Sequence, residues 1–373
     1  MSLDKIITKT KEINKTKNKS RQKCPKIAII ILNWNGWEDT IKCLESIQQV
    51  EYPNYIIVIV DNGSKDSSCN HIKSWAKGKL EVESKHIINI ENDSINLFEK
   101  KINSLSSKKK LVLIQLDENL GFAGGCNVGI KYAFSINTDY ILFLNNDTVV
   151  TPSSIEKLVN FLEKYHDYYG ATGQIRFYDK PFKVWNCGGS IKWYGGRLYN
   201  YANCPISTIP RNKWKRISFF NGCYVLFRTT LFKNIGLLSD LFFFGEEDFE
   251  FSQRLKRYDY KIACVYDSII YHKVGATKKN LNMENIGKVY LYYLNRFINM
   301  RNYWPLYKWH LWRFMYFFYI FVLLKMKYKY SFQKIFHFCK LLYHNSIKLK
   351  RVDKNIYDQV MNSDFFKDKN ING

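Results

Sequence analysis

The sequence lacks a Cys-x-x-Cys pair, a leader-like apolar core near its start, and any bilayer-length apolar run at its most hydrophobic segment. Its nine cysteines are scattered from Cys24 to Cys339, an odd count without metal-site spacing. That argues against a disulfide framework and a structural zinc site, and makes most of them small buried hydrophobes in a reducing compartment. Met1–Lys5 do not lead into an apolar stretch, so no secretory signal is visible and a cytoplasmic location is the expectation. The apolar run Phe314–Leu324 is clearly shorter than the ~20 residues that span a bilayer. Acid is scarce as well. Lys and Arg number 57 against 33 Asp and Glu, a formal charge of +24 that calls for nucleic acid, an anionic membrane surface or a phosphorylated substrate.

What is present is ample core material: 46% of the 373 residues are hydrophobic and 17% aromatic, enough for one large α/β domain with an appendage or for two ordinary domains. Residues 1–23, nearly all Lys, Thr, Asn, Ile and Ser without periodicity, read as a disordered basic arm. Order begins with a buried strand, Ile27–Leu32, then the loop Asn33-Trp34-Asn35-Gly36 and a helix over Glu38–Val50. A second buried strand, Tyr55–Val60, ends in Asp61-Asn62-Gly63-Ser64. Two strands joined by a helix make a βαβ unit and predict a parallel sheet. An Asp at such a tip is placed to accept hydrogen bonds from a ribose or base, although the same four residues also suit a turn or helix cap.

Residues 91–110 read as a loop or poorly ordered insertion. Leu111–Leu116 is the next strand, followed by the glycine-rich loop Gly121–Asn127 and then a helix through Ile130, Ala133 and Phe134, the geometry of a phosphate cradle. It is not a dinucleotide fingerprint, because Ala123 stands where the second glycine belongs. The strand Tyr140–Leu144 then runs into Asn145-Asn146-Asp147. A carboxylate flanked by amides beyond a strand's carboxyl end can hold a divalent metal, a diphosphate or both, while a plain Asx turn satisfies the same residues. Thr151–Ser154 start another helix, and the aromatics among residues 170–215 read mostly as core. Further strands are expected at Ser218–Phe220, Tyr224–Arg228, Ile262–Tyr266 and Ile269–Tyr271, the last ending at His272, a candidate metal ligand. Between them, Gly245-Glu246-Glu247-Asp248-Phe249-Glu250 begin a helix with more negative charge than capping requires.

Taken in order, Asn33-x-Asn35, Asp61-Asn-Gly-Ser, Asn119-x-Gly-Phe-Ala-Gly-Gly-x-Asn127, Leu144-Asn-Asn-Asp-Thr, Asn221-Gly-x-Tyr, Glu247-Asp-x-Glu with Arg254, and a strand ending in His272 form an ordered set. The set resembles family 2 glycosyltransferases of the GT-A fold, in particular rhamnosyltransferase-like members, from about Lys26 to about Gly275. The resemblance implies a three-layer α/β/α sandwich on a mostly parallel sheet over residues 24–280. Its nucleotide-binding half would cover about 24–150 and its acceptor-binding half about 151–280. It further implies that Asn33, Asn35 and Asp61 contact the nucleotide, and that Gly121, Gly124 and Asn127 shape its site. By the same resemblance Asn145 and Asn146 meet the donor diphosphate, and Asp147 with His272 holds Mg²⁺ or Mn²⁺. Asp248 is implied as the general base, supported by Glu247 and Glu250. Three positions depart from the family pattern: Asn145 replaces the first acid of Asp-x-Asp, Cys126 replaces an Asn, and Glu250 replaces an Asp.

The implied chemistry is internally consistent. A cation on the diphosphate stabilises the leaving group, one carboxylate plus phosphate oxygens and water suffices for magnesium, and a second carboxylate deprotonates the attacking hydroxyl. The expectation is therefore an inverting transferase that takes a UDP-, dTDP- or GDP-linked sugar to a saccharide or lipid-linked acceptor in cell-surface glycan assembly. A catalytically inactive, membrane-tethered nucleotide-sugar- or glycan-binding module is the alternative. Nucleic acid is not an expected partner, because Asp61, Asp147, Glu247 and Asp248 would line a phosphate-tracking groove with like charge. Residues 281–373 read as a basic, aromatic-rich helical region. Trp304, Trp309 and Trp312 on one side of the 314–324 run and Lys325, Lys327 and Lys329 on the other suggest a helix lying in a membrane interface, the alternative being a C-terminal helical pair packed on the catalytic domain. An interfacial helix places the protein peripherally at the cytoplasmic face.

Overall fold

The computed structural model describes residues 24–87, 100, 110–274 and 286–362. The expected basic arm at 1–23 and nearly all of the expected 91–110 insertion lie outside them.

The first half alternates strand and helix: β1 (Ile27–Asn33), α1 (Trp37–Ile47), β2 (Tyr55–Asn62), α2 (Ser68–Ala76), β3 (Val82–Ile87), β4 (Leu111–Leu116), α3 (Gly121–Ser135), β5 (Tyr140–Leu144), β6 (Thr148–Val150) and α4 (Ser154–Lys164). The second half continues with β7 (Tyr168–Phe177), β8 (Val184–Asn186), β9 (Gly189–Ile191), β10 (Arg197–Tyr199), β11 (Trp214–Ile217), β12 (Tyr224–Arg228), α5 (Thr229–Ile235), α6 (Glu247–Arg257) and β13 (Lys261–His272). Four helices follow: α7 (Ile286–Tyr303), α8 (Leu306–Met326), α9 (Phe332–Lys348) and α10 (Lys354–Met361).

The main sheet runs β11-β13-β7-β12-β5-β1-β2-β4-β3, with β6 added to β13 and β8 to β7. Pairs β1–β2, β1–β5, β2–β4 and β3–β4 are parallel, whereas β12 lies antiparallel between β5 and β7. Both faces are covered, which is why the inner strands read as unbroken apolar runs. Ala28, Ile30, Val58 and Val60 face a core shared with α3 (Ala123, Val128, Ala133). Their neighbours Ile27, Ile29, Ile31, Ile57 and Ile59 face the opposite core with Leu44 and Ile47 of α1, Ile72 of α2 and Leu158 of α4. The result is the expected α/β/α sandwich. β2 leaves β1 on one side and β5 joins it on the other, so the crevice beyond Asn33 and Leu144 is a topological switch point, where ligands of open α/β sheets bind.

Three expectations are corrected. The strand expected at Ser218–Phe220 lies a few residues earlier as β11, where Trp214–Ile217 pair antiparallel with β13. Ile262–Tyr266 and Ile269–Tyr271 belong to one strand, with a register shift between Val265 and Ile269. The glycine-rich stretch is not a loop before a helix but the first turns of α3 itself. Its glycines allow close packing: a Cβ on Gly125 would sit 2.3 Å from Leu32 Cδ1, and one on Gly129 2.7 Å from Ile30 Cγ2. Gly121, at φ +75°, leaves no room beside the carbonyl oxygen of Phe243.

The C-terminal helices pack onto the sandwich rather than trailing from it. Phe243 donates its amide to Val352 O and Val352 donates to Leu241 O, so the segment before α6 is paired with the chain beyond α9. Trp309 of α8 donates Nε1–H to Phe297 O of α7.

Candidate active site

The carboxyl ends of β1, β2 and β5 converge on one polar network. Buried Asp61 accepts from Asn33 Nδ2 at 2.7 Å through Oδ2, and from the Ser64 amide at 3.0 Å through Oδ1. Ser64 Oγ also donates to Asp61 and accepts from the Asn35 amide, and Asn35 in turn accepts from the Lys65 amide. Asn35 adopts a left-handed φ of +48°, a conformation Asn tolerates. Thr40 of α1 links this cluster to β5. Its hydroxyl donates to Asn33 Oδ1 at 2.7 Å and accepts from Asn146 Nδ2 at 3.0 Å. Asn33, Asn35, Asp61 and Asn146 are thus brought together, whereas the Asn145 amide bonds outside this cluster, to Cys223 O just before β12. The sequence carried no signal for Thr40, because a threonine on a helix's first turn is unremarkable until the fold sets it between two strand tips.

Asp147 meets His272 because β6 pairs with the end of β13, matching Thr148 with His272. Asp147 Oδ1 and His272 Nε2 stand 3.0 Å apart, yet no donor is aligned on that buried oxygen, and His272 Nδ1 is also buried without a partner. A carboxylate oxygen and an imidazole nitrogen this close are two potential ligand atoms for a divalent cation, whose remaining positions diphosphate oxygens and water would fill. The protein set is small: among the described residues no group of three or more His, Cys, Asp or Glu is arranged for a metal. Trp185 packs its ring against His272 at 4.5 Å and fixes it, a role hidden in what reads as a core aromatic.

A second acidic centre forms at the start of α6. Glu246, with a left-handed φ of +78°, turns into a buried charge knot. Its carboxylate takes Arg197 of β10, Arg296 of α7 (Nε to Oε1 at 2.6 Å) and Asn299 Nδ2. Both guanidinium groups stack on Phe249, Arg296 at 4.1 Å and Arg197 at 4.7 Å. Burial works to raise the Glu246 carboxyl, but Arg197 and Arg296 hold it below the usual range. Arg197 also stands 3.9 Å from Asp248, which keeps 15% of its side chain open to solvent. Burial raises the Asp248 carboxyl, with Arg197 opposing, and Glu247 is pushed up to about 8 by burial and by Asp248.

Four of the expected site residues are engaged in scaffold contacts. Glu250 is bound by Arg254 at 2.8 Å and accepts the Tyr303 hydroxyl at 2.6 Å, so it braces α6 against α7 rather than attending Asp248. Asn127 donates to Leu238 O and accepts from the Leu238 amide, holding the 238 segment on α3. Gly121 and Gly124 likewise act in packing: a Cβ on Gly124 would meet Leu120 Cβ at 2.7 Å. The helix still joins the two centres. Asn62, at the end of β2, donates to Gly121 O and Asn119 Oδ1, and Glu247 adds to burial in raising the thiol of Cys126.

A model of the family described as "Glycosyltransferase like family 2" matches residues 25–285. The chain belongs to glycosyltransferase family 2. Among relatives of this glycosyltransferase, an uncharacterized glycosyltransferase of Haemophilus influenzae is 23% identical over 291 residues, covering 74% of this chain and 76% of its own. The low-salt glycan biosynthesis hexosyltransferase Agl10 of Haloferax volcanii is 24% identical over 275 residues, covering 73% and 74%. Among solved structures, GalNAc-T7 with UDP, GalNAc and Mn²⁺ superposes with a TM-score of 0.54 at 14% identity, over 91% of this chain and 56% of that one. The mannosyltransferase PcManGT of Pyrobaculum calidifontis with GDP-Man and Mn²⁺ gives 0.52 at 13% identity, over 92% and 88%. Both share the GT-A fold with this chain.

Proposed function

We propose that this family 2 glycosyltransferase is an inverting enzyme that moves a hexosyl or rhamnosyl group from a nucleotide-diphosphate sugar to a hydroxyl of a saccharide or lipid-linked acceptor. The observation that carries the reading is the separation of labour between two acidic centres. Asp147 and His272 face each other 3.0 Å apart at the switch point, and Asp248 stands at the start of α6.

On this reading Asp61 and the asparagines around it hold base and ribose, and Asn145 and Asn146 lie beside the diphosphate. Asp147 and His272 hold Mg²⁺ or Mn²⁺, which when bound neutralises charge on the departing diphosphate. Asp248 accepts the proton of the acceptor hydroxyl as that oxygen bonds to the anomeric carbon and the bond to the diphosphate breaks. A carboxyl raised by burial yet kept ionisable by Arg197 suits a base working near neutral pH. Glu247, pushed up to about 8 by burial and by Asp248, keeps a proton near neutral pH that it could offer to an incoming acceptor oxygen. The UDP, GDP-mannose and Mn²⁺ in the solved neighbours support a sugar nucleotide and a divalent cation here. Agl10, named for low-salt glycan biosynthesis, and a 23% identical poly-β-1,6-N-acetyl-D-glucosamine synthase of Staphylococcus epidermidis support a role in glycan assembly. The proposed setting of that role is cell-surface glycan assembly at the cytoplasmic face of a membrane.

The test is a thermal-shift screen of nucleotide sugars with and without Mn²⁺, followed by transfer assays of Asp248→Asn with the sugar that binds. Loss of the base lowers transfer by about 10²–10⁴-fold while the nucleotide-sugar shift persists. Unchanged turnover in Asp248→Asn would remove the base assignment. Binding without any turnover in the parent protein would instead favour the inactive binding module.

A further inference from the structure

We propose that α8 and α9 form a membrane-docking face that lies flat on an anionic phospholipid surface. A helix on a protein surface is normally apolar inward and polar outward. α8 breaks that rule. Its inner stripe, Trp309, Arg313, Ile320 and Leu324, is buried against the fold. Its outer stripe, Tyr307, Leu311, Phe314, Phe318 and Val322, follows helical spacing and is apolar throughout, with Leu311 68%, Phe314 74% and Phe318 72% exposed. α9 continues the face with Phe332, Phe336 (71% exposed) and Ile347. The two helices meet through ring contacts, Phe321 with Phe332 at 5.9 Å and Phe317 with Tyr343 at 6.2 Å, so the exposed surface is one patch. A helix apolar on all sides belongs in an apolar surrounding on all sides.

Charge selects the occupant. From Ile286 to Val352 the sequence contains thirteen Lys and Arg and no Asp or Glu. A second copy on this face would oppose two strongly basic surfaces, whereas anionic lipid complements both the charge and the phenylalanines. Lysine ammonium groups flank the patch, Lys325 Nζ 4.1 Å over Phe332 and Lys308 Nζ 4.4 Å over Trp304, on long stems that can swing them from ring to lipid phosphate. Beside exposed Leu306 and Ile347, at the edge of the patch, a groove of about 660 Å³ is lined by Arg301, His310, Lys348 and Lys350, a setting for a lipid phosphate. The face lies on the membrane rather than through it: no helix among the described residues is long and apolar enough to cross, and α8's inner stripe is tied to α7. α7 also carries Arg296 of the Glu246 knot, so docking would set the second acidic centre one helix layer from the lipid surface.

This proposal names the membrane partner in the reading above, but its test requires no sugar transfer. Purified full-length protein is sedimented with vesicles of phosphatidylglycerol or of phosphatidylcholine, without nucleotide sugar. Binding to phosphatidylglycerol vesicles is expected, with little to phosphatidylcholine. Phe314→Ser with Phe318→Ser is expected to weaken it about 100-fold, and Lys325→Ser with Lys327→Ser on the order of 30-fold. Phe314, Phe318 and Lys327 are exposed and Lys325 is half-buried, so the variants keep the parent melting temperature, which separates lost docking from lost folding. Phe318→Trp is expected to gain fluorescence quenching by brominated phosphatidylglycerol beyond that of the parent. Absent binding to phosphatidylglycerol, or equal binding to both lipids, overturns the proposal. So does a dimer in sedimentation velocity that the paired Phe→Ser variant abolishes, since that assigns the face to a second copy.

Discussion

The charge knot at Glu246 permits a quantitative test of whether α7 belongs to the catalytic architecture. Arg296→Met keeps most of the side-chain volume but removes the 2.6 Å and 3.4 Å contacts to Glu246 and the 2.9 Å bond to Gly195 O. Glu246 is left buried with Arg197 and Asn299 alone, and breaking a buried pair from one side costs about 3–5 kcal/mol. Glu246→Gln breaks it from the other side, leaving two buried guanidinium groups to share Asp248, at a similar cost. In the double variant neither charge of that pair remains, and the side-chain amide that replaces the Glu246 carboxylate can still accept from Arg197 and Asn299. The two losses should therefore fall short of additive by about 2 kcal/mol. Urea unfolding of the parent, both single variants and the double variant measures that coupling. Activity gives an independent readout, since Glu246 helps raise the Asp248 carboxyl and Arg197 lowers it. Removing the Glu246 charge should move the acid limb of the pH–kcat/KM profile to lower pH. Losses additive within about 0.5 kcal/mol, with an unmoved acid limb, would refute the coupling of α7 to Asp248.

Glu247 titrates near pH 8 in the folded chain against ~4.3 unfolded, so between those values the native state binds the extra proton. Its stabilising contribution is complete below the unfolded value and is lost at up to ~1.4 kcal/mol per unit as pH rises toward 8. Glu247→Gln should therefore gain melting temperature over the parent from pH 5 to about 8, and a gain that shrinks over that range would contradict the burial of Glu247. Gly78 and Gly121 share left-handed φ values of +77° and +75°, but a Cβ at Gly78 meets nothing within 4 Å while one at Gly121 lies 2.2 Å from Phe243 O. Alanine at Gly78 should cost about 1 kcal/mol and at Gly121 about 2 kcal/mol more, read from unfolding midpoints. Asp147→Asn should abolish the Mn²⁺-dependent part of a nucleotide-sugar thermal shift and leave the metal-independent part, whereas an unchanged Mn²⁺ response would place the cation elsewhere.

Sequence alone determined the layered sheet and the order of its polar tips. Strands buried on both faces must be continuously apolar, and a chain that leaves such a strand meets the ligand crevice at once, so Asp61, Asn145–Asp147 and His272 announce themselves by position along the chain. The basic tail with its short aromatic run was equally legible. Tertiary structure decided what those tips touch. Thr40 bridges Asn33 and Asn146, and Trp185 holds His272, because a helix and a strand distant in sequence pack there. The run of acids at 246–250 shows the difference most plainly. As sequence they are equivalent carboxylates at the start of a helix. In the fold, Arg197 and Arg296 claim Glu246, Arg254 and Tyr303 claim Glu250, and Glu247 and Asp248 are left as the two acids to which the proposed function gives the chemistry. Local pattern specifies which side of a helix is apolar or charged. Only long-range packing chooses the partner of each buried charge, because that pairing depends on which distant guanidinium group the desolvated carboxylate meets.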